Sequence, residues 1–314
     1  GTPAYTRAGD FQTDQNGNLT SVDGLAVMGY PASNGVVNTN APLTAIQIPL
    51  GATQQPHATT SFALNATNLD ASAAGGTVVP AQVTVYDSLG QSHVATVNFT
   101  KAAAPGNTWN YAISLPAADY TGTATNTTGT LTFDGNGKLT APAADVSGIS
   151  FAGLADGASN LNFAWNLYDA NNNPTLTQVA SASTVGSTTQ NGYSSGSYQG
   201  FNVGSDGTIS VQFSNGQTQA VGQLAVATVN NEQGLARLGN NNFAATLASG
   251  QATVGVAGAG GRGTMEGGAL EESNVDISSE FSNLIVAQSA YEANAKSVTT
   301  FNTVTQATIN MIQG

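Results

Sequence analysis

Residues 273–312 read SNVDISSEFSNLIVAQSAYEANAKSVTTFNTVTQATINMI, the only stretch of the chain whose pattern is that of one long helix. Ile277, Leu284, Tyr291, Val298 and Ile312 recur every seven positions, with Thr305 as the polar member of the series. Phe281, Gln288, Ala295, Asn302 and Ile309 run midway between them, so the two series form an a/d seam with polar residues at two a positions. A polar a residue costs stability but fixes register and oligomer state. At ~1.5 Å per residue the helix is about 55 Å long, more than one small β domain can cover. Glu292, Lys296 and Thr299 lie outside the seam and keep it narrow, which argues against an amphipathic helix folded back on its own domain. The helix is therefore expected to meet a partner helix.

Working back from the helix, Ser273 or Asp276 is placed to cap it, and Glu280 puts negative charge in its first turns. Before the caps, residues 258–272 are rich in glycine. Gly258, Gly260, Gly261, Gly263, Gly267 and Gly268 predict a flexible hinge from which residues 273–314 project.

From Tyr5 to about Thr253 the punctuation is that of antiparallel β structure. Asn16-Gly17, Asp23-Gly24, Asp134-Gly135, Asp206-Gly207 and Asn215-Gly216 are hairpin signals, because both residues of the favoured two-residue turn need positive φ. Val83, Val85 and the run from Val94 to Phe99 alternate as half-buried strands. Trp109, Tyr111, Ile113 and Leu115 do the same, as do Leu161, Phe163, Trp165 and Leu167. Both tryptophans fall in this middle region, which gives it a core of its own. A polar stretch at residues 54–60 and a Ser/Thr/Gly-rich one at residues 181–192 bracket it like paired linkers. The expected fold is mainly β: a discontinuous domain of residues 1–57 and 187–257, an outer domain of residues 58–186 inserted in it, the hinge, and a coiled-coil-type C-terminal helix.

Composition restricts the function. Charged residues are only 8% of the chain and the net charge is −12, with Arg7, Lys101, Lys138, Arg237, Arg262 and Lys296 as the six strong bases. There is no basic patch, so nucleic acid is not an expected partner. Solvent-facing positions must be filled by Thr, Ser, Asn and Gln, a surface with little charge repulsion between packed copies. With no cysteine there are no disulfides or thiolate metal sites. No apolar run approaches the ~18 residues of a membrane span, so membrane insertion is not expected. The chain begins without Met in a strand-like segment, as expected of a fragment, and residues 1–10 lack the pattern of a secretion signal.

Three motif matches lack their required context. Gly192-Tyr193-Ser194-Ser195-Gly196 has the nucleophile-elbow spacing, but that chemistry needs a strand-to-helix turn and a later His, whereas His57 and His93 both precede it. The two histidines read as surface residues. Gly258-Ala259-Gly260-Gly261-Arg262-Gly263 has dinucleotide-fingerprint spacing without the second strand that would carry a ribose carboxylate. Asp14, Asn16 and Asn18, and Asp134 with Asn136, imitate the start of a calcium loop but lack its completing Gly and Glu. No catalytic, cofactor or metal site is expected. A hydrolase using Ser194 and a carbohydrate- or ligand-binding surface protein presenting Tyr193 and Tyr198 are the alternatives from other classes.

Longer segments resemble a known family. Tyr5-Thr6-Arg7-Ala8-Gly9-Asp10-Phe11, continuing through Asp14, Gly17, Asn18, Leu19 and Gly24 to Val27-Met28-Gly29-Tyr30, resembles the segment shared by bacterial flagellar rod and hook axial proteins. Gly268-Ala269-Leu270-Glu271-Glu272-Ser273-Asn274-Val275-Asp276, with Ile285-Val286-Ala287-Gln288 and Tyr291-Glu292-Ala293-Asn294-Ala295-Lys296, resembles their C-terminal signature. Val83-Thr84-Val85-Tyr86-Asp87-Ser88-Leu89-Gly90, followed by His93, Val97 and Phe99, is similar to the domain inserted in the hook members, and Gln190-Asn191-Gly192-Tyr193 fits their return to the first domain. The distal rod member is the nearest alternative, and it is not expected to carry such an insert.

The resemblance implies a self-assembling tubular polymer, a bendable joint that carries torque from rod to filament. Terminal helices would line an export channel and β domains would form the outer layers. The implied partners are further copies of the chain, rod and hook–filament junction proteins, and a cap during assembly. The implied location is extracellular, reached unfolded through the flagellar export apparatus. Two departures stand out: no N-terminal helix is present to pair with residues 277–312, and Glu272 places a charge where a small residue is usual.

Overall fold

The computed structural model describes residues 2–103, 106–269 and 273–312. The chain divides into a unit of residues 1–268 and a unit of residues 269–314. The first unit is β structure around two separate hydrophobic clusters.

One cluster lies within residues 62–176. An antiparallel sheet runs in the order Val78–Tyr86, Ser92–Lys101, Thr108–Ser114, Thr128–Phe133, Leu139–Ala141. A second sheet runs Ala124–Thr125, Val146–Phe151, Leu161–Asn166, Ser61–Asn65, Ser187–Gln190. The alternating apolar residues of both sheets supply this core. Trp165 is fully buried, stacked on Phe62 at 5.9 Å between centroids and met edge-on by Tyr111 at 5.2 Å. Aromatic packing of this kind adds about 0.5–1.5 kcal/mol per pair beyond the buried area.

The other cluster joins Leu19, Ile46 and Ile48 to Ile209, Val211, Phe213 and Leu224, residues more than a hundred positions apart in sequence. Its sheet runs Val36–Val37, Met28–Ser33, Thr218–Leu224, Thr208–Phe213, Gly196–Val203, Thr53–Gln54, with Thr44–Ala45 against Met28–Ser33. Chain from both sides of the middle region thus builds one sheet.

Local chemistry differs from the expectation in three places. At Asn16-Gly17, Asp23-Gly24, Asp206-Gly207 and Asn215-Gly216 only the glycine has positive φ, and after Asp134 the positive φ lies at Gly137 rather than Gly135. Backbone bonds to the glycine amide close these turns, such as Gly137 N to Asp134 O at 3.1 Å, and side chains add to them. Asp134 Oδ1, for example, accepts the amides of Asn136 at 2.8 Å and Lys138 at 2.9 Å. The one Asn-Gly turn with both φ values positive is Asn34-Gly35, between Met28–Ser33 and Val36–Val37. Two strand pairs are parallel, Leu161–Asn166 with Ser61–Asn65 and Leu176–Thr177 with Thr67–Asn68. Ser187–Gln190, expected in the discontinuous domain, pairs instead with Ser61–Asn65 and extends the second sheet past residue 186.

The expected linkers are a bonded ribbon. His57 and Tyr193 exchange backbone hydrogen bonds of 2.9 Å, and their rings stack at 5.5 Å. Asn191 Oδ1 accepts the amides of Thr60 at 2.9 Å and Ser61 at 3.0 Å, while its Nδ2 donates to Thr60 Oγ1 at 2.6 Å. A Cβ at Gly192 would collide with Thr59, so only glycine lets the two segments approach this closely.

Candidate functional site

The helix spans Ile277–Ile312, 36 residues, or about 54 Å at 1.5 Å per residue. Asp276 caps it: Oδ1 accepts the Ser278 amide at 2.8 Å, and its carbonyl accepts the Glu280 amide at 3.0 Å. Ser273 Oγ accepts the Val275 amide instead, within the preceding turn. Glu280 lies in the first turn, where the helix dipole favours a carboxylate.

No residue of the helix is buried. Every seam position falls on it, from Ile277 and Phe281 through Leu284, Gln288, Tyr291, Ala295, Val298 and Asn302 to Ile309 and Ile312. On a straight helix this repeat drifts about 20° per heptad, so keeping it in contact with a partner requires left-handed supercoiling. Sequence reasoning took the apolar stripe as narrow. A second one runs along the opposite face, through Val286, Ala293, Val304 and Met311, with Phe301 beside it. Ala293, Lys296, Ser297, Thr300, Phe301 and Val304 line a shallow hollow there. The signal was present as large apolar residues in f and c heptad positions, which an a/d reading passes over.

Hydroxyls on and between the stripes bond back to the helix itself. Ser282, Ser297, Thr300, Thr303, Thr305 and Thr308 each donate to the carbonyl four residues earlier, at 2.8–2.9 Å. Such side chains add polar atoms without adding unmet hydrogen-bond demand. The helix can therefore be covered by apolar surface at low desolvation cost. It is too polar to serve as a membrane span: no helix among the described residues is long and apolar enough to cross one.

The glycine segment is less free than a hinge. Gly258 donates to Gly263 O at 3.0 Å, Arg262 Nε to Val256 O at 2.9 Å, and Met265 N to Ser205 O at 2.9 Å. Met265 packs against the cluster around Phe213, and a Cβ at Gly267 would meet Val203. Gly258, Gly260, Gly261 and Gly263 thus belong to a closed loop fastened to the first unit, and Gly267 is pinned to its sheet. Gly268, with φ of 73°, follows these contacts. Residues 270–272 of the expected hinge, including Glu272, and residues 313–314 of the expected helical segment lie outside the described residues.

The motif matches are structural. Ser194 sits just before the strand Gly196–Val203, with its carbonyl accepting from Asn215 Nδ2 at 2.8 Å, so a strand and not a helix comes directly after it. Asp14 Oδ1 accepts the amides of Asn16 and Asn18, both at 2.8 Å, which commits that oxygen to the turn. His57 is exposed as expected, whereas His93 is buried between Asp87 and Asp119.

Comparison with known proteins agrees with this architecture. The family model described as Flagellar basal body protein FlaE D2 domain matches residues 60–193, and the one described as Flagellar basal body rod FlgEFG protein C-terminal matches residues 266–311. Flagellar hook protein FlgE of Escherichia coli K12 is 35% identical over 325 residues, covering 99% of this chain and 78% of that protein. The FlgE of Treponema pallidum is 29% identical over 350 residues, covering 98% and 76%. The crystal structure of Helicobacter pylori flagellar hook protein FlgE2 shares the fold with a TM-score of 0.54 at 14% identity, over 79% of this chain and 87% of that one. An identity of 35% across nearly the whole chain, together with the matches to the FlaE D2 domain and the FlgEFG C-terminal models, places this protein in the flagellar hook protein FlgE family.

Proposed function

We propose that this chain is a structural subunit that polymerises with copies of itself into the flagellar hook, forming a tube that encloses the export channel and bends while carrying torque. The observation that carries this reading is the C-terminal helix, apolar on two opposite faces, with no residue buried and its hydroxyls bonded internally. The seam of Ile277, Phe281, Leu284, Tyr291, Val298 and their a/d neighbours is the proposed self-assembly surface. The large apolar seam residues are 45–79% exposed on the free helix, so burying each there stabilises the contact by about 1–2 kcal/mol.

Two separate hydrophobic clusters support a division into a discontinuous β domain built from both ends of the first unit and an inserted outer domain. Any pivot for the helix belongs after Gly267, past the contacts that hold the glycine loop. The same reading makes rod proteins, hook–filament junction proteins and an assembly cap the neighbours, and places the subunit outside the cell without enzymatic activity. The insert favours this over the distal rod reading.

Deleting the coding sequence should leave cells with complete rods and no hooks, as seen by electron microscopy of isolated basal bodies. Truncated rods would assign the chain to the distal rod, and hooks of normal form would overturn the proposal.

A further inference from the structure

The inserted core contains a buried ion cluster that the assembly reading leaves unused. His93, only 6% exposed, stands near the start of the strand Ser92–Lys101 with its ring between two carboxylates. Nε2 is 3.1 Å from Asp87 Oδ2, and Nδ1 is 3.0 Å from Asp119 Oδ2. An ionised carboxylate only accepts hydrogen bonds, so both contacts hold together only if both ring nitrogens carry protons. The arrangement is that of an imidazolium.

The charged groups facing the ring come from three elements. Asp87 follows the strand Val78–Tyr86, and Asp119 lies in the loop after Thr108–Ser114. Across Asp87 stands Asp156, between Val146–Phe151 and Leu161–Asn166, with one ligating atom from each of Asp87, His93 and Asp156 within 4.8 Å of the others. Asp87 also shapes the turn that follows it, its Oδ1 accepting the amides of Leu89 at 2.8 Å and Gln91 at 2.9 Å. That turn packs against the ribbon between the two cores. A Cβ at Gly90 would lie 2.8 Å from Pro56 Cβ and 3.3 Å from Ser194 Cα, and Tyr86 O accepts the Thr59 amide at 2.8 Å.

We propose that His93 is a protonation-dependent clip: as an imidazolium it ties residues 87–91 to Asp119 and holds that turn against the ribbon joining the two β cores, and as a neutral imidazole it lets the turn open. The electrostatics agree with the geometry. Burial opposes the charge on His93, but hydrogen bonds to Asp119 and Asp87, with their negative charges, outweigh it and raise the pKa above the ordinary 6.5. Burial would likewise raise Asp87, yet the hydrogen bonds it accepts from His93 and from the Gln91 and Leu89 amides hold it below the ordinary 3.8. A raised His pKa gives stability that is complete below 6.5 and is lost as pH rises through the folded value. A depressed Asp pKa gives stability that is present above 3.8 and is lost as pH falls through the folded value. The clip is closed between these limits and opens on the alkaline side.

The test is histidine and amide NMR on the full chain from about pH 5 to about pH 9, the range spanning histidine ionisation. At about pH 5.5 both His93 nitrogens should carry protons, and the ring should lose one only above the ordinary 6.5. Exchange at the Leu89 and Gln91 amides, corrected for intrinsic rates, should accelerate across that titration as the clip opens. In His93→Gln the corrected exchange should be fast at every pH. If that variant does not fold, Asp119→Asn should lower the His93 titration point while leaving the bond to Asp87.

A His93 ring with one protonated nitrogen at about pH 5.5, a titration point at or below the ordinary 6.5, or amide exchange that ignores the titration would each overturn the clip. Zinc chloride that displaces the Nε2 proton would also overturn it, in favour of a metal site at Asp87, His93 and Asp156.

Discussion

Replacing Leu284 with Asp separates folding from assembly in one residue. In the isolated chain Leu284 is 52% exposed and the helix buries none of its residues. The substitution therefore costs the folded β unit almost nothing. Within the helix it costs roughly 0.5 kcal/mol of intrinsic propensity. At a packed seam the balance changes. Leu284 would lose the half of its burial energy that remains to be gained on docking, about 1 kcal/mol of the roughly 1.5–3 for complete burial. The carboxylate would face desolvation worth several kcal/mol unless it reached water. In a polymer the loss recurs at every subunit.

The expected outcome is export without stable hooks and loss of motility, with a thermal unfolding midpoint for the soluble subunit within about one degree of wild type, as a near-zero stability change requires. Leu284→Met, which conserves volume, should restore hooks. The paired assay is hook length by electron microscopy beside thermal unfolding of the soluble subunit. Normal hooks from Leu284→Asp, or a midpoint that falls by several degrees, would refute the seam and place this face against the chain's own β unit.

A fragment of residues 58–193 should fold alone, with Trp109 and Trp165 reporting a cooperative transition, and should be more stable than residues 58–186, which cut away the strand Ser187–Gln190; fluorescence-monitored urea unfolding decides this, and equal midpoints would remove that strand from the inserted core. Asn191→Ala deletes three hydrogen bonds at the ribbon and should destabilise the full chain by roughly 1–3 kcal/mol, because the amides of Thr60 and Ser61 lose their acceptor; an unchanged urea midpoint would mean that the ribbon does not hold the two cores. Ser194→Ala should leave hooks and stability unchanged, and fluorophosphonate labelling of the wild type at Ser194 would contradict a purely structural role.

The β character and the long helix were legible because each rests on a local period. Trp109, Tyr111, Ile113 and Leu115 alternate in sequence and are all buried, and the heptads from Ile277 to Ile312 lie on one continuous helix. What sequence missed is non-local or depends on which atom bonds to which. The parallel pairing of Ser61–Asn65 with Leu161–Asn166 joins residues a hundred positions apart, and nothing in either strand names its partner. His93 read as a surface residue although it lies in phase with Ala95, Val97 and Phe99 on the buried face of its strand; what sequence could not show is that Asp87 and Asp119 meet both ring nitrogens there. The glycines from Gly258 to Gly263 read as a swivel because composition is blind to Arg262, whose guanidinium fastens the loop to Val256. The second apolar stripe of the helix was visible but lay outside the pattern being sought.

The internally bonded hydroxyls of the helix bear on how such subunits could slide. Where Ser or Thr side chains cross-link neighbouring helices, each bond is short and directional, and axial displacement of an ångström or two breaks it. Here Thr300, Thr303, Thr305 and Thr308 already donate to their own backbone, so their donors are not held in bonds to a neighbour. What remains between two such helices is mostly apolar contact, which changes gradually with displacement and has no preferred bond direction to lose. A tube walled by these surfaces could stretch on its outer side and shorten on its inner side at each turn of a curved rotating shaft, with little friction between strands.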